Sequence, residues 1–141
     1  MLEIRREELG QGWRELLESA REARAHAYCP YSSYRVGAAL ECVGGEIIAG
    51  ANLENAAYGS TLCAERSAVA AANARGFRQF IRLVVSVEGQ PVAPCGDCRQ
   101  VLHEFAARSG IALEVLLHGE RSDLMQLATI QELLPYGFEL E

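Results

Sequence analysis

Apolar positions along the chain recur at spacings that predict alternating helices and strands. Between Trp13 and Ala27 they return every three or four positions, with Glu and Arg between them, which predicts a helix with one buried face. Two later segments, Cys63–Arg75 and Gly96–Arg108, are also predicted helices, and a glycine suited to a C-cap follows each. A short fourth helix is predicted to open near the end, where Thr129 and Glu132 fit a capping box.

Short apolar runs between these helices predict strands. The runs Val36–Cys42 and Glu46–Gly50 flank the turn residues Val43-Gly44-Gly45 and predict a β-hairpin. Ile81–Val87 is rich in β-branched residues, as a central strand is, and Ala112–Leu117 predicts a further strand. Because strands and helices alternate late in the chain, parallel strand pairs with crossover helices are expected. The pattern predicts a mixed sheet with helices on both faces.

The length and composition favour one globular domain. The chain has 141 residues, of which 50% are hydrophobic and 23% charged, and we expect residues 1–141 to form a single domain. No apolar run approaches the roughly 20 residues of a membrane helix, so no membrane partner is expected. The first residues, Met1–Glu8, lack the apolar core of a signal peptide, which favours a cytoplasmic location.

The charge balance argues against nucleic acid as a partner. The net charge is −6, and all 13 cationic residues are Arg. Tight nonspecific binding to nucleic acid requires a basic surface that neutralises phosphates, and this chain has no basic run. Five cysteines in a chain of this length, an odd number, suggest metal ligation or catalysis more than a set of disulfides.

Two cysteine-containing stretches concentrate the candidate chemistry. Cys63-Ala64-Glu65-Arg66 and Pro94–Cys98 each follow a predicted loop and open a predicted helix. Free backbone N–H groups and the positive end of the helix dipole lie at such a position, and both stabilise a thiolate. We therefore expect lowered pKa values for the thiols of Cys63, Cys95 and Cys98.

Three thiolates on two helix starts would suit a catalytic zinc site. Zinc binds thiolates in tetrahedral geometry, and three protein ligands, Cys63, Cys95 and Cys98, would leave one position open. Three thiolates give the site a negative charge, which Arg66 is placed to offset. Glu65 could take a proton from a water molecule there and deliver it to a substrate.

Other interpretations of these cysteines stay open. The Cys-x-x-Cys pair could be a redox pair, although such pairs usually follow the first strand of a thioredoxin-like unit. A closed structural zinc site would need a fourth ligand, and none of the histidines, His26, His103 and His118, stands at ligand spacing. The three cysteines could also be inert core residues.

Several segments, in order along most of the chain, resemble the cytidine deaminase family. Cys63–Arg66 and Pro94–Gln100 resemble its two zinc motifs, Cys29–Leu40 resembles its opening segment, and Asn52–Ala56 resembles its ribose-binding loop. Leu133-Leu134-Pro135 with Phe138 resembles its C-terminal signature. The resemblance implies a three-layer α-β-α fold with a central mixed five-stranded sheet. It also implies a zinc-dependent hydrolysis of cytidine and deoxycytidine to uridine and deoxyuridine with release of ammonia.

The resemblance also implies a role for each matched position. It makes Cys63, Cys95 and Cys98 ligands of one Zn²⁺ ion per subunit, and Glu65 the proton carrier. It implies that Arg66 donates to the thiolates. The positions implied to contact the nucleoside substrate are Asn52 and Glu54 at the ribose hydroxyls, the backbone of Ala64 at the base carbonyl, and the aromatic residues Tyr34, Tyr58 and Phe138. Small members of the family are homotetramers whose pockets borrow residues from neighbouring subunits, and Tyr58 and Phe138 would be such residues.

Some features of the chain depart from the family pattern. Tyr34 stands where Phe is usual, Ala93 where Ser is common, and the ending Glu139-Leu140-Glu141 replaces Gly-Pro. The short ending is also similar to that of blasticidin S deaminases, which act on a modified cytosine nucleoside but lack the Asn-x-Glu loop. A related enzyme of that kind, and a noncatalytic zinc-binding module, are the alternatives. Asn52 and Glu54 could also be ordinary loop residues, and the three aromatic residues could be packing residues.

Overall fold

The centre of the molecule is a six-stranded sheet. The computed structural model describes residues 1–141. The strands are β1 (Leu2–Arg5), β2 (Val36–Cys42), β3 (Ile47–Ala51), β4 (Phe80–Val87), β5 (Glu114–Gly119) and β6 (Leu124–Thr129). Their order across the sheet is β1-β6-β5-β4-β2-β3. The pair β4–β5 is parallel and every other pair is antiparallel, so the predicted mixed sheet is confirmed.

Four helices accompany the sheet, and local sequence sets their ends. They are α1 (Gln11–Arg24), α2 (Ala64–Ala74), α3 (Gly96–Ser109) and α4 (Ile130–Leu133). Gly110 follows α3 in the left-handed conformation, with φ of 67°, as a C-cap glycine should. The predicted capping box of Thr129 and Glu132 opens α4. No helix has the length and apolar character needed to cross a membrane.

The helices form the two outer layers of a three-layer fold. A cluster of eight buried residues, including Leu16 and Leu17 of α1, packs on one face of the sheet. The larger cluster of 19 buried residues lies on the other face, where it joins the sheet to α2, α3 and α4. The predicted three-layer α-β-α arrangement is therefore confirmed, and α2 and α3, which follow the cysteine stretches, lie on the same side.

The expected number of strands was wrong by one. The resemblance implied five strands, whereas the sheet has six, and the apolar pattern itself predicted neither β1 nor β6. β1 is an edge strand of four residues that is largely exposed and pairs only with β6. Because its pairing partner lies more than a hundred residues away and little of it is buried, β1 leaves almost no local pattern.

A close contact between β3 and α2 places the start of α2. A Cβ atom added to Gly50 would overlap the backbone nitrogen of Ala68 and lie 2.7 Å from the carbonyl oxygen of Ala64. Only a residue without a side chain lets the backbones of strand and helix approach this closely. The helix whose N-terminus carries Cys63, Ala64 and Glu65 is thus seated directly on the sheet.

Candidate metal centre

The three sulfur atoms of Cys63, Cys95 and Cys98 meet at the N-termini of α2 and α3. Cys63 is the N-cap residue of α2, and Cys95 is that of α3, as the sequence predicted. The three sulfurs all lie within 4.8 Å of one another, with Cys63 Sγ and Cys95 Sγ 3.9 Å apart. Sulfur ligands of one tetrahedral zinc ion lie about 3.8 Å apart, given zinc–sulfur bonds of about 2.3 Å. The donor set therefore fits a zinc ion, and no histidine joins the cluster.

The three thiols do not share one environment. Burial acts to raise the pKa of Cys95, but hydrogen bonds with the backbone and thiol of Cys98, the Cys63 thiol and the backbone of Asp97 together outweigh it and lower that pKa overall. Burial raises the pKa of the Cys98 thiol strongly, and the charges of Glu65 and Cys63 add to the effect. The prediction of lowered thiol pKa values is thus confirmed at Cys95 and wrong at Cys98. Cys98 is fully buried, so a thiolate there needs a positive partner.

Arg66 supplies positive charge beside the sulfurs. Its Nη2 atom donates to Cys63 Sγ across 3.4 Å. The hydrogen bond to Cys63 raises the pKa of the Arg66 guanidinium, and Cys98 contributes in the same direction. Its Nε atom is buried and has no hydrogen-bond partner. An arginine held in this way stabilises thiolates, as the sequence predicted from its position in the motif.

Glu65 is a carboxyl group held in an apolar environment. Its position in the first turn of α2 leaves it only 5% exposed. Burial raises the pKa of Glu65, and this outweighs the lowering that the backbone, the Cys98 thiol and Arg66 produce. Glu65 lines a cleft of about 230 Å³ together with Cys63 and Cys95. A group of this kind can both accept and return a proton.

The same cleft brings together five of the residues predicted to contact a nucleoside or act on it. Its lining includes Tyr34, Asn52, Glu54, Ala64 and Glu65. Apolar side chains from the ends of β2 and β4, Val36, Val85 and Val87, form part of its wall. The cleft thus has an apolar interior, a buried acid beside the sulfurs and polar groups elsewhere in its lining, as small-molecule sites usually do.

Asn52 and Glu54 already hold the segment between α1 and β2. Asn52 accepts from the backbone N–H of Val36 at 2.9 Å, and its Nδ2 donates to the carbonyl oxygen of Tyr34 at 2.8 Å. Glu54 Oε1 accepts from the backbone N–H groups of Tyr31 and Ser32 at 3.0 and 3.1 Å, and Oε2 accepts from the Ser32 hydroxyl. These hydrogen bonds lower the pKa of Glu54, and the one from the Ser32 hydroxyl has the largest effect. Both residues have a structural role that their loop position did not reveal.

The structure does not bring Tyr58 or Phe138 into this cleft. Tyr58 is 82% exposed and lines a neighbouring cavity, which shares Glu54 and Thr61 with the cleft. Phe138 is 65% exposed, and its backbone is held by Gln100, which donates to the Phe138 carbonyl at 2.9 Å and accepts from its N–H at 3.1 Å. Their predicted role in a neighbouring subunit's pocket stays a prediction.

Two supporting residues lie inside the matched motifs but were given no role from sequence. Arg99 donates to the carbonyl oxygen of Pro94 at 2.6 Å and to that of Leu133 at 2.8 Å, so it ties the second cysteine stretch to α4. Ser32 bonds to Glu54, as described above. Their presence in stretches that resemble known motifs was the available signal, but Leu133 lies 34 residues from Arg99 and Glu54 lies 22 residues from Ser32.

The fold and the site together define a class of protein. It is a three-layer α/β protein with a metal centre at two helix N-termini and a buried carboxyl group beside it. Residues 12–114 match the family described as "Cytidine and deoxycytidylate deaminase zinc-binding region". Since this match covers most of the chain, the chain belongs to that family, and the metal for which its three sulfurs are suited is zinc.

Similar proteins and structures agree with this assignment. A cytidine deaminase of Halalkalibacterium halodurans is 43% identical over 127 residues, which cover 89% of this chain and 93% of the relative. A crystal structure of cytidine deaminase from Burkholderia pseudomallei has a TM-score of 0.83 at 41% identity and covers 92% of this chain and 100% of its own. A crystal structure of cytidine deaminase from Mycobacterium tuberculosis has a TM-score of 0.74 at 36% identity and covers 91% of this chain and 98% of its own.

Proposed function

We propose that this chain catalyses the zinc-dependent hydrolytic deamination of cytidine and deoxycytidine to uridine and deoxyuridine, with release of ammonia. The observation that carries the proposal is the buried carboxyl group of Glu65 in one cleft with the cysteine cluster. The relatives named cytidine deaminase, which align over most of their length, support the same substrate class. The reaction would serve pyrimidine salvage.

The residues of the cleft suit the proton transfers that this reaction requires. A zinc ion held by Cys63, Cys95 and Cys98 would lower the pKa of a water molecule. Glu65 would accept a proton from the attacking water and transfer it to N3 of the cytosine ring. It would then carry the second proton to the exocyclic amino nitrogen, which leaves as ammonia while the ring carbonyl forms. Arg66 would hold the thiolates in their charged form throughout.

The rest of the cleft suits a nucleoside. The amide of Asn52 and the carboxylate of Glu54 offer a donor and acceptors to sugar hydroxyls. The backbone of Ala64, in the first turn of α2, would donate to the base carbonyl, and Tyr34 would pack near the base or the sugar. We infer that the site takes free nucleosides rather than polynucleotides, because a polynucleotide site needs a basic surface and the net charge of this chain is −6.

We further propose a homotetramer in which neighbouring subunits complete each pocket. Exposed aromatic side chains in and beside the cleft support it, since Tyr34 is 46% exposed in the cleft, and Tyr31, 58% exposed, lines the neighbouring cavity together with Tyr58. Exposed aromatic residues grouped in this way are typical of an interaction surface. A single deaminase domain over 1–141 is supported by the continuous sheet, and five free cysteines favour the reducing cytoplasm.

Metal analysis combined with an ultraviolet assay of nucleoside loss tests the proposal. We expect about one zinc ion per chain, and turnover of cytidine and deoxycytidine with release of ammonia. Blasticidin S and a single-stranded oligonucleotide containing cytosine serve as comparison substrates. Turnover of blasticidin S alone would favour the alternative enzyme, and oligonucleotide deamination at the rate of free cytidine would indicate a polynucleotide substrate. Folded protein with neither zinc nor turnover would contradict the proposal.

A further inference from the structure

Ser32 lies at the centre of a hydrogen-bond network that joins the two proposed sugar-binding residues. Its hydroxyl oxygen accepts from the backbone N–H of Tyr34 at 3.0 Å, and the hydroxyl donates to Glu54 Oε2. The carbonyl oxygen of Tyr34 in turn accepts from Asn52 Nδ2 at 2.8 Å. A hydroxyl has one proton, and the N–H of Tyr34 occupies an acceptor site of Ser32, so that proton is directed to Glu54.

This network leaves the Glu54 carboxylate with one free site for accepting a hydrogen bond. A carboxylate offers about four acceptor sites on its two oxygens. Oε1 accepts two backbone N–H groups, from Tyr31 and Ser32, and Oε2 accepts the Ser32 hydroxyl. One acceptor site on Oε2 therefore remains. The carboxylate is fixed by three hydrogen bonds, although the segment that supplies them is exposed.

The Asn52 amide also keeps hydrogen-bonding sites that are free for a substrate hydroxyl. Its Oδ1 accepts from Val36 and its Nδ2 donates to Tyr34, so one donor and one acceptor site remain on the amide. A sugar hydroxyl can donate to Glu54 Oε2 while it accepts from Asn52 Nδ2. Both residues line the same cleft. The two side chains would then meet the substrate in orientations that the protein has already set.

We propose that Ser32 is a positioning residue for sugar recognition, because its hydroxyl orients the Glu54 carboxylate so that one acceptor site stays free for a substrate hydroxyl. This inference rests on the proposed function, since it requires a nucleoside with its sugar at Asn52 and Glu54. Preorganisation of this kind lowers the cost of ordering a side chain when the substrate binds. Ser32 itself needs no contact with the substrate.

The experiment compares cytidine with 2′,3′-dideoxycytidine, which lacks the 2′- and 3′-hydroxyls of the ribose, in the wild type and in Ser32→Ala. We expect Ser32→Ala to raise the KM for cytidine about fivefold, as the loss of one hydrogen bond would. The kcat for cytidine should stay unchanged, because the interaction is the same in the ground state and the transition state. The kinetic constants for dideoxycytidine should match those of the wild type, so the preference for cytidine in kcat/KM falls by the same factor.

Two further variants separate orientation of Glu54 from a general loosening of the loop. Ser32→Thr keeps the hydroxyl and should restore the KM for cytidine. Ser60→Ala is the control, since it removes an exposed hydroxyl from the segment between Tyr58 and Thr61, which line the same cavity as Ser32, at a residue without a positive φ, and it should behave as wild type. An unchanged KM for cytidine in Ser32→Ala, or an equal rise for both nucleosides, would overturn the role of Ser32. Wild-type protein that deaminates neither nucleoside would instead overturn the proposed function, and this inference with it.

Discussion

At the scale of single residues, the environment of Glu65 decides what the site can do. An exposed carboxyl group would stay ionised at neutral pH and would return a proton poorly. Burial raises the pKa of Glu65 and brings it nearer to the range in which a carboxyl group both takes and gives protons. The carboxyl group lines the same cleft as Cys63 and Cys95, where the proposed reaction would take place.

Glu65→Gln should abolish turnover and leave zinc binding intact. The amide has nearly the same size but cannot carry a proton, so we expect kcat to fall by a factor of about 10² to 10⁴ or more. Zinc content is measured on the same preparation by elemental analysis, and ammonia release by a coupled assay. Glu22→Gln, an exposed residue of α1, is the matched control. Undiminished ammonia release from Glu65→Gln would exclude Glu65 as the proton carrier and favour a different role for the zinc centre.

At this scale the sequence predicted the positions of the site residues better than the contacts that support them. Cys63, Cys95 and Glu65 could be placed from sequence because each stands at or directly after the start of a helix with a clear local pattern. The bond between Ser32 and Glu54 spans 22 residues and exists only once the intervening hairpin has formed. The raised pKa of Cys98 could not be predicted either, since it depends on burial by the whole fold.

At the scale of elements, the contact of α2 with β3 sets the position of the metal centre. α2 begins directly after Cys63, and Gly50 of β3 lies against the backbone of this helix at Ala64 and Ala68. Any side chain at Gly50 must push the helix away from the sheet. Such a shift moves Cys63 and Glu65 relative to the two cysteines of α3.

Gly50→Ala should therefore destabilise the protein and weaken zinc binding together. Overpacking of this kind costs about 1 to 3 kcal/mol of the free energy of unfolding, which urea denaturation measures. Competition with a chromogenic zinc chelator measures the affinity. Gly89→Ala is the control, since an added Cβ there meets no atom within 4 Å. Wild-type stability and zinc affinity in Gly50→Ala would show that α2 is not held by this contact.

The elements that the sequence predicted are those with a strong local signal. The four helices have periodic apolar faces or clear caps, and β4 is a buried apolar run. The edge strand β1 has neither, because its stability comes from pairing with β6 near the other end of the chain. Gly50 looks like the end of a hairpin strand in the sequence, and only the packed helix shows why it has no side chain.

At the scale of the whole molecule, a polar network joins α1 to the sheet on the face opposite α2. His118 of β5 is 1% exposed, and its Nδ1 hydrogen-bonds with Ser86 Oγ of β4 at 3.0 Å. Arg6 contacts the other ring nitrogen, while Arg21 and Arg24 of α1 bind Glu120. The pKa of His118 is lowered from 6.5 to about 4, chiefly by burial. The charge of Glu120 acts to raise this pKa, and the charges of the three arginines act to lower it.

This network predicts a loss of stability in mild acid. The unfolded chain binds a proton at His118 as the pH falls through about 6.5, whereas the folded chain binds one only near pH 4. The free energy of unfolding should therefore fall by up to about 3 kcal/mol between pH 6.5 and pH 4 through this residue alone. Burial acts to raise the pKa of Glu120, but its hydrogen bonds with Arg21 and Arg24 lower that pKa to about 2. Glu120 therefore contributes a loss of stability only below about pH 4.5.

Urea denaturation of the wild type and His118→Gln across this pH range separates the effect of His118 from that of other groups. The glutamine cannot titrate but can still form hydrogen bonds with its neighbours. As the pH falls, the free energy of unfolding of the wild type should decrease more than that of His118→Gln. A constant difference from pH 7 to pH 4 would mean that His118 titrates normally in the folded protein.

The proposed homotetramer can also be tested at the scale of the whole molecule. Sedimentation at micromolar concentration should give the mass of four chains, because exposed aromatic residues such as Tyr58 and Phe138 are then covered. Dilution or mutation that yields monomers should remove activity as well. A monomer with full activity would contradict the proposal that neighbouring subunits complete each pocket.

The central claim is that three sulfurs from two helix starts hold one zinc ion next to Glu65. The most direct measurement is anomalous X-ray diffraction at the zinc absorption edge on crystals of the protein. We expect one peak per chain, about 2.3 Å from the Sγ atoms of Cys63, Cys95 and Cys98. A peak bound elsewhere, or a Cys63–Cys95 disulfide with no anomalous density between the sulfurs, would contradict the account.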